Sequence, residues 1–353
     1  MGKINQLREQ FTKHNVDGMI ITSTYNRRYL TNFTGTAGVV VISQDEALFI
    51  TDFRYAEQAA AQAPDFKVVQ HQGPIHNEVA AQVERLGIKR LGFENDHVVF
   101  GTYKQYEKSM KAELVPVTGL IEKLRLIKSD SEIKILKEAA DIADAAFKHI
   151  IEFIQPGKTE LEVSNELEFF MRTAGASSSS FDIIVASGLR SALPHGVASD
   201  KIIETGDLVT LDYGALHNGY VSDITRTVAV GQPSEKLKEM YQVVLDSQLL
   251  AMENIKPGLT GKEADAIARD YITSKGYGDF FGHSLGHGIG LEVHEGPGLS
   301  VRSDVRLEEN MAITVEPGIY IAGIGGVRIE DDTLLTKNGN ETFTHSTKEL
   351  LIL

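Results

Sequence analysis

In the first hundred residues, short apolar runs alternate with segments whose apolar side chains recur every three or four positions. GMIITS (18–23), GVVVISQ (38–44) and EALFITD (46–52) have the run length and β-branched content of strands, with a turn at Gln44 and Asp45. Residues 56–63 and 79–86 carry helical spacing, and KRLGFE (89–94) reads as a further strand. This alternation predicts an α/β domain. A different pattern begins at KLRLIKSDSEI (123–133), where Ser129 or Asp130 offers an N-cap with Glu132 just inside the helix. The helix that follows puts Ile133, Leu136, Ala140, Ala143, Phe147, Ile150 and Ile154 on one stripe and stops at Gln155-Pro156-Gly157. The chain is therefore expected to divide into residues 1–125 and 126–353.

The second part repeats itself. IQPGKTELEV starts at Ile154 and IKPGLTGKEA at Ile255, an offset of 101 residues. Each opens an amphipathic helix, and the two helices end near Ala174-Gly175 and Lys275-Gly276 at that same offset. Downstream, VTLDYG (209–214) is matched by ITVEPG (313–318), and each continues through a glycine turn into a second strand, GYVSDITRT and GGVRIEDDT. The pattern predicts two helix–helix–hairpin units about a pseudo-two-fold axis, their strands joined in one curved sheet covered by helices.

Chemistry concentrates in HSLGHGIGLEVHEGPG (283–298), which holds three of the chain's eleven histidines. The i, i+4 spacing of His283 and His287 would suit a helix, but glycines at 286, 288 and 290 each disfavour one by about 1 kcal/mol. Extended backbone and turns are predicted instead. Taken alone, the stretch is either a glycine-rich loop with incidental histidines or a metal or proton-transfer site. The two hairpins offer partners: Asp212 and Asp223 in the first, Glu316 and Glu330 in the second, all within otherwise apolar strand sequence. A buried unpaired carboxylate is too costly to leave alone. Four at matched places point to one or two multivalent cations. With one imidazole added, the oxygen-rich set suits Mn²⁺ or Co²⁺ and admits Zn²⁺ or Fe²⁺. Carboxylates that bridge two ions form the clamp of hydrolytic two-metal sites.

Composition narrows the remainder. The absence of cysteine excludes disulfides, thiolate metal sites and cysteine nucleophiles, and suits a cytoplasmic protein. No apolar run approaches the roughly 20 residues that span a bilayer, and the polar amphipathic N-terminal helix has no signal-peptide core, so no membrane role is expected. The formal net charge of −14 argues against nucleic acid as a partner.

The ordered set DYG-x8-D, H-x3-H-x6-HE, VEPG and VRIED resembles the pita-bread metallopeptidases, and within them most closely aminopeptidase P and prolidase. The likeness covers essentially the whole chain. It implies a creatinase-like α/β N-terminal domain followed by an α+β pita-bread catalytic domain, in a homodimer. Asp212, Asp223, His287, Glu316 and Glu330 would hold two divalent ions, Mn²⁺ foremost. By the same resemblance His195, in LPHG, would contact the scissile carbonyl, and His294 would stabilise the tetrahedral intermediate. His283 would line the proline-side pocket, and Glu316 would double as proton shuttle. Thr225 and Arg328 would sit close to Asp223 and Glu330, with Tyr320 near the site.

The implied substrates are short proline-containing peptides. A bond to proline nitrogen is a tertiary amide without N–H, so the site must accept the ring and protonate a secondary amine. TDFRY (51–55) and NRRYLTNFTG (26–35) are candidates for the wall that limits peptide length, or ordinary fold residues. A prolidase must also grip the free carboxylate of a dipeptide, a task suited to an arginine fork. Some prolidases of this type carry arginine directly after HE-x-P; here that position is Gly298, and the nearest arginine is Arg302. This departure tilts the expectation toward an Xaa-Pro aminopeptidase, with an Xaa-Pro dipeptidase using Arg302 or Arg328 as the alternative. Retention of all five ligands weighs against a non-catalytic binder and a metal-free creatinase-like hydrolase. The first 125 or so residues weigh against methionine aminopeptidase.

Overall fold

The short apolar runs near the N-terminus become strands that are buried on both faces. β1 (Gly18–Ile21), β2 (Val39–Ser43) and β3 (Ala47–Thr51) expose no residue. The structure, a computed structural model, describes residues 2–353, in two units that meet in sequence between Arg125 and Leu126.

In the first unit the N-terminal amphipathic segment forms α1 (Lys3–Glu9) and α2 (Phe11–His14). α3 (Thr24–Thr31) is capped by Ser23, which accepts from Asn26 N–H at 3.4 Å. After β3 follow α4 (Ala56–Gln62), β4 (Lys67–Gln70), α5 (Ile75–Arg85) and β5 (Arg90–Glu94). α6 (Phe100–Ser109), β6 (Glu113–Val117) and α7 (Leu120–Arg125) complete it. The six strands lie in the order β4-β3-β2-β1-β5-β6, antiparallel at β1–β2 and β2–β3 and parallel elsewhere. The half-polar edge strands β4 and β6 lacked a periodic signal. Residues 26–35 were a candidate cleft wall, yet Asn26 and Arg27 are buried inside this unit, where Arg27 donates to the carbonyls of Gly35 and Gly38. These two residues serve the fold, while Asn32 and Thr34 of the same stretch are exposed.

The second unit begins with α8 (Asp130–Phe153), where Ser129 N–H donates to Glu132 Oε2 at 3.0 Å. α9 (Glu160–Thr173) follows, then β7 (Ser178–Ser179), β8 (Ile184–Ser187) and β9 (Leu208–Tyr213). β10 (Ala215–His217), β11 (Tyr220–Val221) and β12 (Ile224–Ala229) close the first half. The second half opens with α10 (Glu235–Asn254) and α11 (Gly261–Ser274), then β13 (Gly286–Gly288) and β14 (Glu295–Leu299). It ends with β15 (Ala312–Val315), β16 (Gly318–Ile321), β17 (Gly325–Arg328), β18 (Asp331–Thr336) and β19 (Gly339–Thr342).

The repeat extends to single hydrogen bonds. Gly157 and Gly258, both left-handed, donate from N–H to Ile203 O and Leu307 O at 2.9 and 2.8 Å. Thr159 and Thr260 then form matching capping boxes with Glu162 and Glu263. Each half has its own core: Leu167, Met171, Val209, Leu211 and Ile224 in one, Ala268, Ile272, Ile313, Val315 and Ile329 in the other. Each of the buried valine, leucine, isoleucine and methionine side chains contributes on the order of 1.5–3 kcal/mol.

The strands do not form the single curved sheet expected. β12-β9-β8 and β14-β13-β15-β18-β19 are separate sheets, linked by an isolated bridge between Thr225 and Glu330. The hairpin arms are interrupted at the acids themselves: Asp223 falls between β11 and β12, Glu316 between β15 and β16, and Glu330 between β17 and β18. Asp212 alone lies within a strand, opposite Thr225. Such breaks re-aim side chains that a regular ladder would alternate between faces.

Candidate functional site

His287 lies on β13, where the ladder to β14 shifts register between Gly286 and Gly288. The glycines are there because neighbouring chain comes close. A Cβ at Gly288 would collide with the Gly296 carbonyl, and one at Gly290 with the Glu295 carboxylate. The histidine-rich stretch is thus extended, as its glycines predict.

This geometry brings Asp223, His287 and Glu330 together, with one potential ligand atom of each within 4.8 Å of the others. His287 Nε2 lies 3.3 Å from Glu316 Oε1 and 3.8 Å from Asp223 Oδ2. Asp212 lines the same cavity, and Arg328 Nη2 donates to its Oδ2. All four acids and His195, His283, His287 and His294 border this cavity of about 550 Å³.

The acids are placed where negative charge is costly. Burial, then the charges of Glu330 and Asp212, pushes Asp223 well above the usual carboxylate range. Burial followed by Glu316 and Asp212 does the same to Glu330, and burial foremost raises Glu316 to about 8. Asp212 Oδ1 and Asp223 Oδ1 are buried with no hydrogen-bond partner among the described residues. Partnerless oxygens, mutually repelling acids and one imidazole fit the donor set of divalent cations. His287, lowered to about 4 by burial and by His294, is held neutral, the form that binds metal.

The other candidates divide. His195 and His294 are exposed on the cavity wall, the ring of His294 standing 4.3 Å from that of His287. His283, lowered to about 4 mainly by burial, joins Nε2 to the Tyr320 hydroxyl at 2.9 Å. Arg328, a candidate for substrate binding, lines the cavity, and its donors go to Thr225 Oγ1, the Pro194 carbonyl, Tyr320 and Asp212, because a buried guanidinium needs such partners. Thr225 Oγ1 in turn donates to Glu330 Oε2 at 2.6 Å. Arg302 is exposed on an adjoining recess that shares His283, Ser284 and Ser300 with the main cavity. Its guanidinium has no partner among the described residues.

Sequence reasoning missed Asp332, a buried acid that accepts Asp223 N–H at 2.8 Å. It also missed Arg226, which donates to Asp331 and to the Thr225 and Glu330 carbonyls, tying the two hairpins beside the acids. Charged residues inside the apolar strand sequences ITRTVA and DDTLLT were the available signal.

Comparison with known proteins adds an independent line. Residues 134–337 match the model of metallopeptidase family M24, and residues 3–127 that of the creatinase/prolidase N-terminal domain. An Xaa-Pro dipeptidase of Pyrococcus horikoshii is 44% identical over 99% of this chain and 98% of its own. The solved Xaa-Pro dipeptidase from Bacillus anthracis is 66% identical, with a TM-score of 0.99 over 99% of both chains. The solved X-Pro aminopeptidase from Thermotoga maritima is 39% identical, with a TM-score of 0.92 over 98% of this chain and 100% of that one. Among the described residues no helix is long and apolar enough to cross a membrane.

Proposed function

The chain belongs to metallopeptidase family M24, with a creatinase/prolidase N-terminal domain, and from that premise we propose that it is an Xaa-Pro dipeptidase. The observation that carries the reading is the buried cluster of four acids and one neutral imidazole, with partnerless oxygens, on a single cavity. The relatives named as dipeptidases over nearly the full chain support action on dipeptides over the aminopeptidase reading that Gly298 favours. Arg302 supports it too: it is a free guanidinium next to the cavity, suited to a substrate carboxylate.

Asp212, Asp223, His287, Glu316 and Glu330 would hold two divalent cations, with Mn²⁺ the first choice for so oxygen-rich a set. When bound, such ions supply Lewis acidity toward the carbonyl and lower the pKa of water. The protein's own groups do the rest. Glu316 accepts a proton from the attacking water on its carboxylate and passes it to the proline nitrogen as the bond breaks. His294 donates to the developing oxyanion, and His195 to the substrate carbonyl. His283, fixed by Tyr320, forms the wall against the proline ring. Arg328 holds Asp212 and Tyr320 in place. The active assembly is a homodimer in this reading.

The test offers Mn²⁺-loaded protein Ala-Pro and Ala-Pro-Ala side by side, with products identified by mass spectrometry. Faster cleavage of Ala-Pro is expected. Conversion mainly of the tripeptide, to Ala and Pro-Ala, would establish the aminopeptidase reading instead.

A further inference from the structure

His294, like His195, is proposed for the reaction without a hydrogen bond to fix its ring. Its nitrogens have no hydrogen-bond partner among the described residues, and the ring is exposed. Besides its edge contact with the His287 ring at 4.3 Å, its aim comes from the backbone of the loop that carries it, between β13 and β14.

The base of that loop is closed by a buried ion pair. Lys128 Nζ donates to Glu295 Oε1 at 2.7 Å, with side chains only 2% and 8% exposed. Glu295 directly follows His294, and its carboxylate also lies against Gly290, where the loop departs. Glu295 pairs with Gly288, next to His287, in the β13–β14 ladder. Lys128 is itself anchored, its N–H donating to Asn310 O at 2.9 Å. Two residues earlier, Leu126 fills the space against Gly296. The first residues of the catalytic unit thus hold the β14 end of the loop that presents His294, and Glu295 reaches from there to its start at Gly290.

A buried ion pair is a poor source of stability, because two apolar residues of similar volume often do as well. What such a pair gives is one fixed geometry. We propose that Lys128 is a positioning residue for His294: through Glu295 it closes the loop so that the imidazole meets the developing oxyanion. This rests on the role given to His294 above.

Four variants of the full-length, Mn²⁺-loaded protein test it with Ala-Pro: H294A, K128M, K128M/E295M and the triple variant. K128M alone strands a buried carboxylate and is expected to lose stability along with activity. K128M/E295M removes both charges. It should keep a melting temperature and metal content close to the parent's and a KM within about twofold, while kcat falls about tenfold or more. In the H294A background the same double change should leave kcat unaltered, since the residue it aims is gone. Parental kcat in K128M/E295M would overturn the proposal. So would an equal loss of kcat with and without His294. If H294A itself has parental kcat, the role of His294 fails first and the inference falls with it, an outcome separate from the other two.

Discussion

The two halves of the catalytic unit use the same scaffold and do different work with it. Ser187 of β8 pairs with Val209 of β9, and Gly288 of β13 pairs with Ile313 of β15. Val209 and Ile313 are matching positions of the two hairpins, so His287 takes the place that Ala186 holds in the first half. Ala186 is buried core. The second half has instead opened that strand with glycines, let neighbouring backbone close in, and put an imidazole among the acids. An exposed histidine follows in each case, His195 after Ala186 and His294 after His287. A repeat gives four acids by symmetry; the single nitrogen donor comes from where symmetry is broken.

The largest effect should come from erasing that difference. H287A makes the second strand resemble the first, and turnover of Ala-Pro should fall at least about 10³-fold, the scale on which essential catalytic groups act. Bound metal, measured by mass spectrometry, should fall with it while the circular dichroism spectrum stays the same. Full activity in this variant would mean that the imidazole next to Asp223 and Glu316 is incidental.

A second, moderate effect follows from charge. In metal-free protein Glu316 is raised to about 8, so the folded state keeps a proton that the unfolded state gives up near the ordinary carboxylate pKa. Stability from this group is complete at low pH and is lost as pH rises toward 8. His283 and His287, lowered to about 4, act oppositely, but only below about 6.5, where unfolded histidine protonates. Between pH 6.5 and 8 the buried acids therefore decide the sign, Asp223, Glu330 and Asp332 being raised in the same direction as Glu316. Glu316 should contribute a loss of up to about 2 kcal/mol across that window in metal-stripped protein, and E316Q should make the fall in stability shallower without abolishing it. Calorimetry of metal-free parent and variant checks it; a flat parental profile would mean that Glu316 is already ionised without metal.

The sequence made some of this legible and hid the rest, for identifiable reasons. The capping boxes, the Pro-Gly turns and the ligand-bearing motifs are local, and a local pattern can be read directly. The break of each hairpin at its acid is not local. GYVSDITRT, ITVEPG and GGVRIEDDT look like continuous strands until pairing shows that Asp223, Glu316 and Glu330 stand between segments. The use of Arg328 is a matter of packing across 116 residues: a lone arginine near two acids reads as a substrate anchor, whereas here it supports Asp212. The Lys128–Glu295 pair spans 167 residues, and neither member belongs to a pattern that names the other.

The smallest effect bears on whether the halves are equivalent away from the site. Thr159 Oγ1 accepts from Glu162 N–H at 3.1 Å while Glu162 Oε2 accepts from Thr159 N–H at 2.8 Å. The corresponding distances at Thr260 and Glu263 are 3.2 and 2.7 Å. Identical geometry at identical places in the repeat should carry identical energy, so T159A and T260A should each cost about 1 kcal/mol. For a unit of this size that is a drop of roughly 2–4 °C in melting temperature. The two caps share no partner, so the double variant should lose the sum. Equal and additive losses, with turnover of Ala-Pro unchanged, would show that the repeat is a scaffold of two interchangeable parts. A markedly larger loss at Thr260 would mean that the half carrying His287 has become the weaker one. The glycines that let neighbouring backbone approach the site would then have cost stability in the structure around it.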